Sequence, residues 1–143
     1  MTLTPSERAR KSAEAMWSGD RASAWFGMSL DDVDEGRATL SLTVAEHHTN
    51  GHGICHGGVI FALADSAFAF ACNSRNQATV AQHNTITYIA PAKLGDRLIA
   101  EAREVSLASR SGLYDVAVRT DTATTIAEFR GCSRMVRGTL FEK

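Results

Sequence analysis

The fold is decided by the stretch VIFALADSAFAFACN, which spans residues 59–73. Alanines and large apolar side chains fill it, and the only polar residues before the closing Asn73 are Asp65 and Ser66. A helix over these residues has no polar face, so the pattern predicts a helix that is buried on every side. A buried helix needs a covering layer, which the rest of the chain must supply.

Strand patterns on both sides of this helix supply that layer. Apolar residues alternate with polar ones from Ala38 to Val44, which predicts a half-buried strand over residues 36–44 with a hairpin partner within residues 26–33. Four more strands are predicted after the helix, over residues 80–89, 97–107, 113–120 and 125–136. Their short connections favour antiparallel neighbours in a meander. The predicted fold class is α+β, a sheet wrapped around one central helix.

The length of the chain favours a single domain. It has 143 residues, which is within the usual range for one domain. Thr4 followed by Pro5 predicts the capped start of an amphipathic helix over about residues 5–18. We therefore expect one domain over residues 1–143 that includes this N-terminal helix.

Charge and cysteine content exclude several classes of protein. Lys and Arg number 15 against 16 Asp and Glu, so no basic excess is available to bind a nucleic acid backbone. The longest apolar stretch is too short to span a membrane, and the N-terminus lacks the apolar region of a secretion signal. Three cysteines without a CxxC motif are typical of a reducing compartment. We expect a cytoplasmic protein without nucleic acid or membrane partners.

Asp65 is the most informative residue for function. An ionised carboxylate inside such an apolar helix is costly unless it is paired or faces a wet cleft. One interpretation is that the helix has a narrow solvent-facing stripe and that Asp65 lies on it. The other is that Asp65 is a general base or nucleophile in a cleft of low polarity, where its reactivity is tuned.

A glycine-rich segment, Asn50-Gly51-His52-Gly53-Ile54-Cys55-His56-Gly57-Gly58, precedes the helix and is predicted to be irregular. Free backbone N–H groups at a helix start bind anions or a developing oxyanion, so Gly57 is a candidate. Asn50 can orient a water or a carbonyl group, or simply form a turn. His56 can cap the helix or donate to a substrate. The alternative for the whole segment is a glycine-rich turn without a ligand.

Spacing predicts that the two strongest candidates act in different subunits. Gly57 and Asp65 are eight residues apart, about 12 Å along one helix. One carbonyl group could hardly touch both in the same chain. If they act together, Asp65 must come from a second subunit, which requires a dimer with the site at its interface.

No metal site or cofactor is predicted. His48, His52 and His56 are four residues apart and would form one metal-binding face on a helix. Gly51 and Gly53 argue against such a helix.

These motifs together resemble those of a known enzyme family. The glycine-rich segment above, Leu63-Ala64-Asp65-Ser66-Ala67-Phe68-Ala69 and Tyr88-Ile89-Ala90-Pro91-Ala92-Lys93-Leu94-Gly95-Asp96 are similar to motifs of the hotdog-fold acyl-CoA thioesterases. The resemblance is strongest to the phenylacetate-degradation (PaaI) type. Leu113-Tyr114-Asp115-Val116 and Phe129-Arg130-Gly131 also fit this pattern, which extends from about Lys11 to Gly138.

The resemblance implies a fold, an activity and an assembly. The fold is a curved antiparallel sheet around a long central helix, in dimers whose sheets join edge to edge and usually in a tetramer of two dimers. The activity is hydrolysis of acyl-CoA, with phenylacetyl-CoA or hydroxyphenylacetyl-CoA preferred. By the family's pattern Asp65 is the catalytic carboxylate, Gly57 binds the oxyanion, and Asn50 and His56 position water and thioester. Whether Asp65 is base or nucleophile stays open.

One position departs from the family's pattern. Some relatives carry a Ser or Thr on the strand after the central helix, where this chain has Ala81-Gln82-His83. Gln82 or His83 is a possible substitute, or there is no third partner; Ser66 is a weaker candidate. For the phosphates of CoA we expect basic residues near the cleft and choose Arg110 and Ser111, which would otherwise form an ordinary polar turn.

Two other functions compete with hydrolysis. One is a hotdog protein that binds an acyl or aromatic ligand without turnover, although a pure binder has no evident need for Asp65. The other is a dehydratase acting on hydroxyacyl thioesters, in which His56 and Asp65 would form the catalytic pair.

Overall fold

Three α-helices and six strands form most of residues 2–142, which the computed structural model describes. The helices are α1 (Pro5–Gly19), α2 (Arg21–Phe26) and α3 (Gly57–Cys72), and a short 3-10 helix spans Glu46–His48. The strands are β1 (Ser29–Asp34), β2 (Arg37–Thr43), β3 (Thr79–Tyr88), β4 (Arg97–Ala108), β5 (Ser111–Thr120) and β6 (Thr125–Met135). The α+β prediction is confirmed, and every predicted strand is present.

The strands form one antiparallel sheet in the order β1-β2-β4-β5-β6-β3. The predicted meander is right for β4, β5 and β6 but wrong for β3, which pairs with β6 at the far edge. The chain between β3 and β4 instead passes the start of α3, where Cys55 N–H donates to the Ala92 carbonyl at 2.8 Å. This connection is long enough to cross the sheet, so sequence adjacency does not decide the pairing.

Helix α3 packs one face against the sheet and forms the centre of the core. Leu63, Ala64 and Ala67 are fully buried, and the Phe68 ring meets the rings of Tyr114 and Phe129 at centroid distances of 5.6 and 5.9 Å. Small alanines allow the helix to approach the strands closely, while the aromatic ring fills the remaining space. This face accounts for most of the apolar burial of the helix.

The prediction that α3 is buried on every side is wrong for the described chain. One stripe of the helix is only half-buried, and it comprises Phe61, Ala62, Asp65, Ser66 and Ala69. These positions share one side of a helix because they recur at three- and four-residue spacing. A single curved sheet covers only part of the helix circumference, so this stripe is only partly covered within residues 2–142.

Helix α1 confirms the predicted N-terminal helix. Thr4 and Glu7 form a reciprocal capping box at distances of 2.9 and 3.1 Å, and Pro5 occupies the first helical position. Ala9 and Ala13 are buried, and the helix packs against β1. This helix therefore covers one edge of the sheet.

Helix α2 was not predicted, and it places Phe26 at a helix end rather than in a strand. Asp20 caps it by accepting from Ser23 N–H at 2.9 Å, and Gly27 ends it with a φ of 80°. The cap and the glycine were visible in the sequence. Six residues are too few to show a helical period, so Phe26 was predicted to lie in the hairpin partner of the strand over residues 36–44.

Candidate active site

The glycine-rich segment is a structured turn that Asn50 organises. Its side-chain Oδ1 accepts from the backbone N–H of His52 at 3.0 Å and of Ile54 at 3.4 Å. Its backbone N–H donates to the Ile54 carbonyl at 2.9 Å. The structure therefore shows Asn50 forming the turn. Its amide Nδ2 donates to no protein acceptor within residues 2–142.

His56 caps α3 and leaves the first backbone donor of the helix free. Its Nδ1 accepts from Gly58 N–H at 2.8 Å, which fixes the neutral ring with its proton on Nε2. The N–H of Gly57 donates to no acceptor within the described chain. It therefore points outward from the positive end of a 16-residue helix, where negative charge is stabilised.

Tyr88 holds the start of α3 against the end of β3. Its hydroxyl donates to the Gly57 carbonyl at 2.8 Å. A Cβ added at Gly57 would lie 3.1 Å from the tip of this ring, so the close approach favours glycine at this position. Burial raises the pKa of Tyr88, which keeps the hydroxyl protonated as a donor.

Asp65 lies in the middle of the half-buried stripe and has one polar partner within the described chain. Asn84, on β3, donates from Nδ2 to Asp65 Oδ1 at 3.1 Å. Burial raises the pKa of Asp65 and the Asn84 hydrogen bond lowers it, with burial the larger effect. A carboxylate whose pKa is raised is a better proton acceptor than an exposed one.

Asn84 is the functional residue that sequence reasoning missed. Gln82 lies at a β-bulge between Ala81 and His83, and the register after the bulge places His83 on the face opposite Asn84. Asn84 alternates in phase with Ile86 and Tyr88, which also turn toward α3. The alternation of Asn84, Ile86 and Tyr88 is visible in the sequence, but the bulge at Gln82 shifts it by one residue relative to the start of the strand.

The predicted site residues fall into three places. Asn50, in the turn before α3, precedes His56 and Gly57 at the helix start, and Asp65 lies eight residues beyond Gly57 on the same helix. Arg110 and Ser111 are exposed at the turn between β4 and β5. Ser111 and Val80 pair with opposite sides of Arg134 on β6, so Ser111 is level with the end of β3 that lies about 26 Å along the strand from Tyr88.

Two of the three histidines with four-residue spacing, His48 and His56, accept hydrogen bonds from the backbone. His48 is buried, accepts from Ala45 N–H at Nδ1 and contacts the Phe26 carbonyl through Nε2 at 2.8 Å. Burial lowers the pKa of His48. Within residues 2–142 no three His, Cys, Asp or Glu side chains are grouped closely enough to share a metal ion.

The sequence model of the Thioesterase superfamily matches residues 52–127. The chain belongs to this superfamily. It is 39% identical over 135 residues to the acyl-coenzyme A thioesterase PaaI of Escherichia coli, which covers 94% of this chain and 96% of that protein. A putative esterase of Archaeoglobus fulgidus is 33% identical over 130 residues, or 91% of this chain and 84% of that protein.

Solved structures place the thioesterase-superfamily chain in the hotdog fold. The E. coli PaaI protein superposes with a TM-score of 0.93 over 95% of this chain and 99% of that one, at 39% identity. A structure of the phenylacetic acid degradation protein PaaI of Thermus thermophilus gives a TM-score of 0.79 over 82% of this chain, at 34% identity, and the match includes all of that chain. The expected resemblance and fold are confirmed.

None of the helices within residues 2–142 has the length and apolar character needed to cross a membrane.

Proposed function

We propose that this protein hydrolyses acyl-CoA thioesters to a free acid and CoA. The observation that carries the proposal is the pair formed by a free Gly57 N–H at the start of a long helix and a half-buried Asp65 carboxylate. One group stabilises negative charge on oxygen and the other accepts a proton, as acyl transfer requires. Its similarity to PaaI of E. coli, a protein named as an acyl-coenzyme A thioesterase, supports the same reaction.

In this mechanism the thioester carbonyl oxygen accepts from Gly57 N–H. The Nε2–H of His56 and the free amide Nδ2 of Asn50 hold the thioester and the water. Attack on the carbonyl carbon places negative charge on its oxygen, where the helix N-terminus stabilises it. The C–S bond then breaks, and CoA leaves as a thiolate.

Asp65 fits two versions of the first step. As a general base it takes a proton from water, whose oxygen bonds to the carbonyl carbon, and later returns that proton to the thiolate. As a nucleophile it bonds to the carbonyl carbon itself, and water then cleaves the resulting anhydride. Solvent oxygen in the Asp65 carboxylate after a single turnover in ¹⁸O water identifies the nucleophile, because a general base never acquires it; this label enters when water attacks the Asp65 carbonyl of the anhydride.

The site needs two subunits in this proposal. Gly57 and Asp65 are separated by about 12 Å along one rigid helix, too far for one carbonyl group and its attacking water. Strand β3 leaves an unpaired edge next to Asn84, and pairing of two such edges joins the sheets of two chains. Antiparallel pairing brings Asp65 of one chain toward Gly57 of the partner subunit. A tetramer of two such dimers stays a prediction.

The same pairing gives Arg110 and Ser111 their role as a CoA contact. Arg110 borders a shallow depression with Arg137 and Gln77, beside the end of β3 that starts at Thr79. Antiparallel β3 edges place this end near Tyr88 of the partner subunit, and therefore near its helix start. Two guanidinium groups at that position suit the phosphates of CoA.

An aryl-acetyl group is the acyl group we propose. Phe61 lies one turn before Asp65 on the half-buried stripe, and its ring stands edge-on to Phe129 at 5.4 Å. Such an edge offers an aromatic acyl group a favourable contact. Similarity to proteins named for phenylacetic acid degradation supports phenylacetyl-CoA or hydroxyphenylacetyl-CoA. We also place the reaction in the cytoplasm, since all three cysteines are free thiols.

Release of CoA tests the proposal. The panel contains phenylacetyl-, hydroxyphenylacetyl-, benzoyl- and straight-chain acyl-CoA, with Asp65→Asn compared against Asp32→Asn, an exposed carboxylate on β1. We expect aryl-acetyl substrates to turn over fastest. Asp65→Asn should lose about 100-fold or more of kcat, as loss of a catalytic base does, while Asp32→Asn keeps native activity. Tight binding of these compounds without turnover would contradict hydrolysis and favour a binding protein.

A further inference from the structure

Asn84 makes an unusual use of its amide group. Its Nδ2 donates to Asp65 Oδ1 at 3.1 Å, while its own Oδ1 is enclosed and has no hydrogen-bond partner within residues 2–142. The opposite orientation would bring the amide oxygen against the carboxylate oxygen, so the charge on Asp65 decides which way the amide points.

An enclosed acceptor without a partner destabilises the folded chain. An apolar side chain of the same shape would avoid this loss, and strand β3 is otherwise suited to β-branched and apolar residues. Stability alone therefore does not explain an amide at this position. The contact with Asp65 does, because it is the one hydrogen bond that the Asn84 side chain makes within the described chain.

Within the described chain, no other side chain competes with Asn84 for a hydrogen bond to Asp65. Strands β2, β4, β5 and β6 present mainly apolar side chains to α3, and their titratable exceptions, Glu104 and Tyr114, lie near its C-terminal end. Helix α2 presents Ser23, which contacts Ser66 at 3.3 Å and is bonded to Asp20.

Three elements remain around the helix. Helix α1 contacts α3 through Trp17 on Phe70. Strand β1 packs Leu30 and Val33 against the core. Strand β3 contributes Tyr88 at the helix start, where His56 is the cap. Along α3 itself, the Cys72 thiol lies seven residues beyond Asp65, and the Asp65 charge helps to raise its pKa.

We propose that Asn84 is a positioning residue that fixes one oxygen of Asp65 and keeps this carboxyl group ionised, so that its second oxygen is free to act in hydrolysis. The proposal rests on the proposed function of Asp65. Burial favours the neutral acid, and the amide N–H opposes it by donating to the charged form. Removing the donor leaves burial unopposed, and the pKa of Asp65 then rises.

The first test does not depend on activity. The ¹³C resonance of the Asp65 carboxyl group is followed against pH in the native protein and in Asn84→Leu, which has nearly the same shape without a donor. His83→Leu, on the opposite face of the same strand, is the control. We expect a higher titration midpoint in Asn84→Leu and a native midpoint in His83→Leu. Equal midpoints in Asn84→Leu and the native protein would overturn the proposal.

The second test is the pH profile of CoA release. The carboxylate is the active form in either role, so the acidic limb of kcat should move to higher pH in Asn84→Leu. At pH values below the native limb we expect kcat of Asn84→Leu to be about tenfold lower than the native kcat, as removal of one hydrogen bond to a charged group causes. The difference in kcat should become smaller as the pH rises. A loss that is equal at every pH would contradict the proposal, because a purely structural defect does not move the limb.

A second variant keeps the test decisive if Asn84→Leu folds poorly. Asn84→Asp places another carboxyl group on Asp65, and two such groups share a proton, which raises the midpoint of the pair further. At acid pH, where Asp65 is protonated, we expect Asn84→Leu to resist urea at least as well as the native chain, since it removes the enclosed acceptor. If Asp65→Asn is fully active while the titration midpoint of Asp65 moves in Asn84→Leu, the proposed function is wrong but the effect of Asn84 on Asp65 is confirmed. If Asp65 keeps its native midpoint in both Asn84 variants, only the positioning role is wrong.

Discussion

Strand β1 closes one edge of the sheet, and strand β3 leaves the other edge open. β1 is short, contains a bulge and carries three aspartates; Asp31 pairs with Arg97 at 3.6 Å, and Asp34 accepts from Ser6 of α1 at 2.9 Å. β3 has ten residues, none of them Asp, Glu, Lys or Arg, and Val80 and Tyr88 are about half exposed.

The difference follows how proteins protect sheet edges. Charge, a bulge and a covering helix prevent further strand pairing at β1, and all three are present there. β3 has one bulge but neither charge nor, within residues 2–142, a cover, although it contributes the Asn84 contact to Asp65. The edge that carries the candidate site is therefore the edge that we propose pairs with a second chain.

A charge on the open edge should give the largest effect. Thr85 is exposed on β3, and in a two-fold interface Thr85→Glu places the same charge on both strands. We expect the assembly to dissociate and CoA release to fall by about 100-fold, because each site would lose half of its groups. Sedimentation velocity and the activity assay measure both effects.

The matched change on the closed edge is Asp32→Lys. Asp32 is also exposed on an edge strand, but we expect the sedimentation coefficient and activity to stay native. Loss of assembly in Asp32→Lys, or retention in Thr85→Glu, would reverse the assignment of the two edges.

Alanine substitutions at two glycines compare the packing between sheet and helix with the packing at the open edge. A Cβ at Gly131 would lie 2.8 Å from the buried Phe68 ring, whereas one at Gly57 would meet the half-exposed tip of Tyr88 at 3.1 Å. Gly131→Ala should cost about 1–3 kcal/mol of unfolding free energy, since a core ring cannot yield. Gly57→Ala should change stability little, because Tyr88 can turn toward solvent. Urea midpoints measure both; equal costs would show that Tyr88 is as constrained as Phe68.

The smallest effect is a difference in pH dependence between the two sides. Near the β1–β2 hairpin, Arg75 donates to Glu104 at 2.6 Å and lowers the pKa of that carboxyl group, so the folded chain binds fewer protons than the unfolded chain. This contribution is complete above the unfolded pKa and is lost as pH falls through the folded one. Burial raises the pKa of Asp65, so its effect has the opposite sign: stability is highest below its unfolded pKa and declines as pH rises through the folded one.

Single substitutions separate the two contributions. Glu104→Gln should reduce the loss of stability at acid pH, and Asp65→Asn should remove a decline at higher pH. Unfolding in urea at a series of pH values measures both, and a decline with falling pH that Asp65→Asn abolishes would contradict the sign given for Asp65.

Local signals predicted the parts of the fold that depend on local physics. The Thr4 cap gave α1, alternation gave β2, and β-branched residues with turn signals gave the other strands, because all of these depend on neighbours in sequence. The position of β3 depends on a crossing connection held by Cys55 and Ala92, which no local pattern encodes. The half-buried stripe of α3 likewise depends on how far one sheet reaches around the helix.

The candidate site was predictable to a similar degree. A carboxylate in an apolar helix and glycines before it identified Asp65 and Gly57, and their spacing alone implied two subunits. Asn84 was missed because the bulge at Gln82 shifts the phase of β3 by one residue. Asn50 and His56 were seen, but their bonds to the loop and to Gly58 required the structure.

Complementation between two inactive variants tests most directly whether Gly57 and Asp65 act across subunits. Gly57→Pro removes the free N–H. Proline suits the first position of α3, since His56 has the extended backbone that precedes proline. Gly57→Ala is the control, because it places a Cβ equally close to Tyr88 but retains the N–H. Gly57→Pro and Asp65→Asn are made separately, then co-expressed with different tags and purified as the mixed dimer. We expect each variant alone to be nearly inactive and the mixed dimer, with one intact site of two, to recover about half of the native activity. A mixed dimer as inactive as its parents would show that both groups act within one chain, and no site would then be shared between subunits.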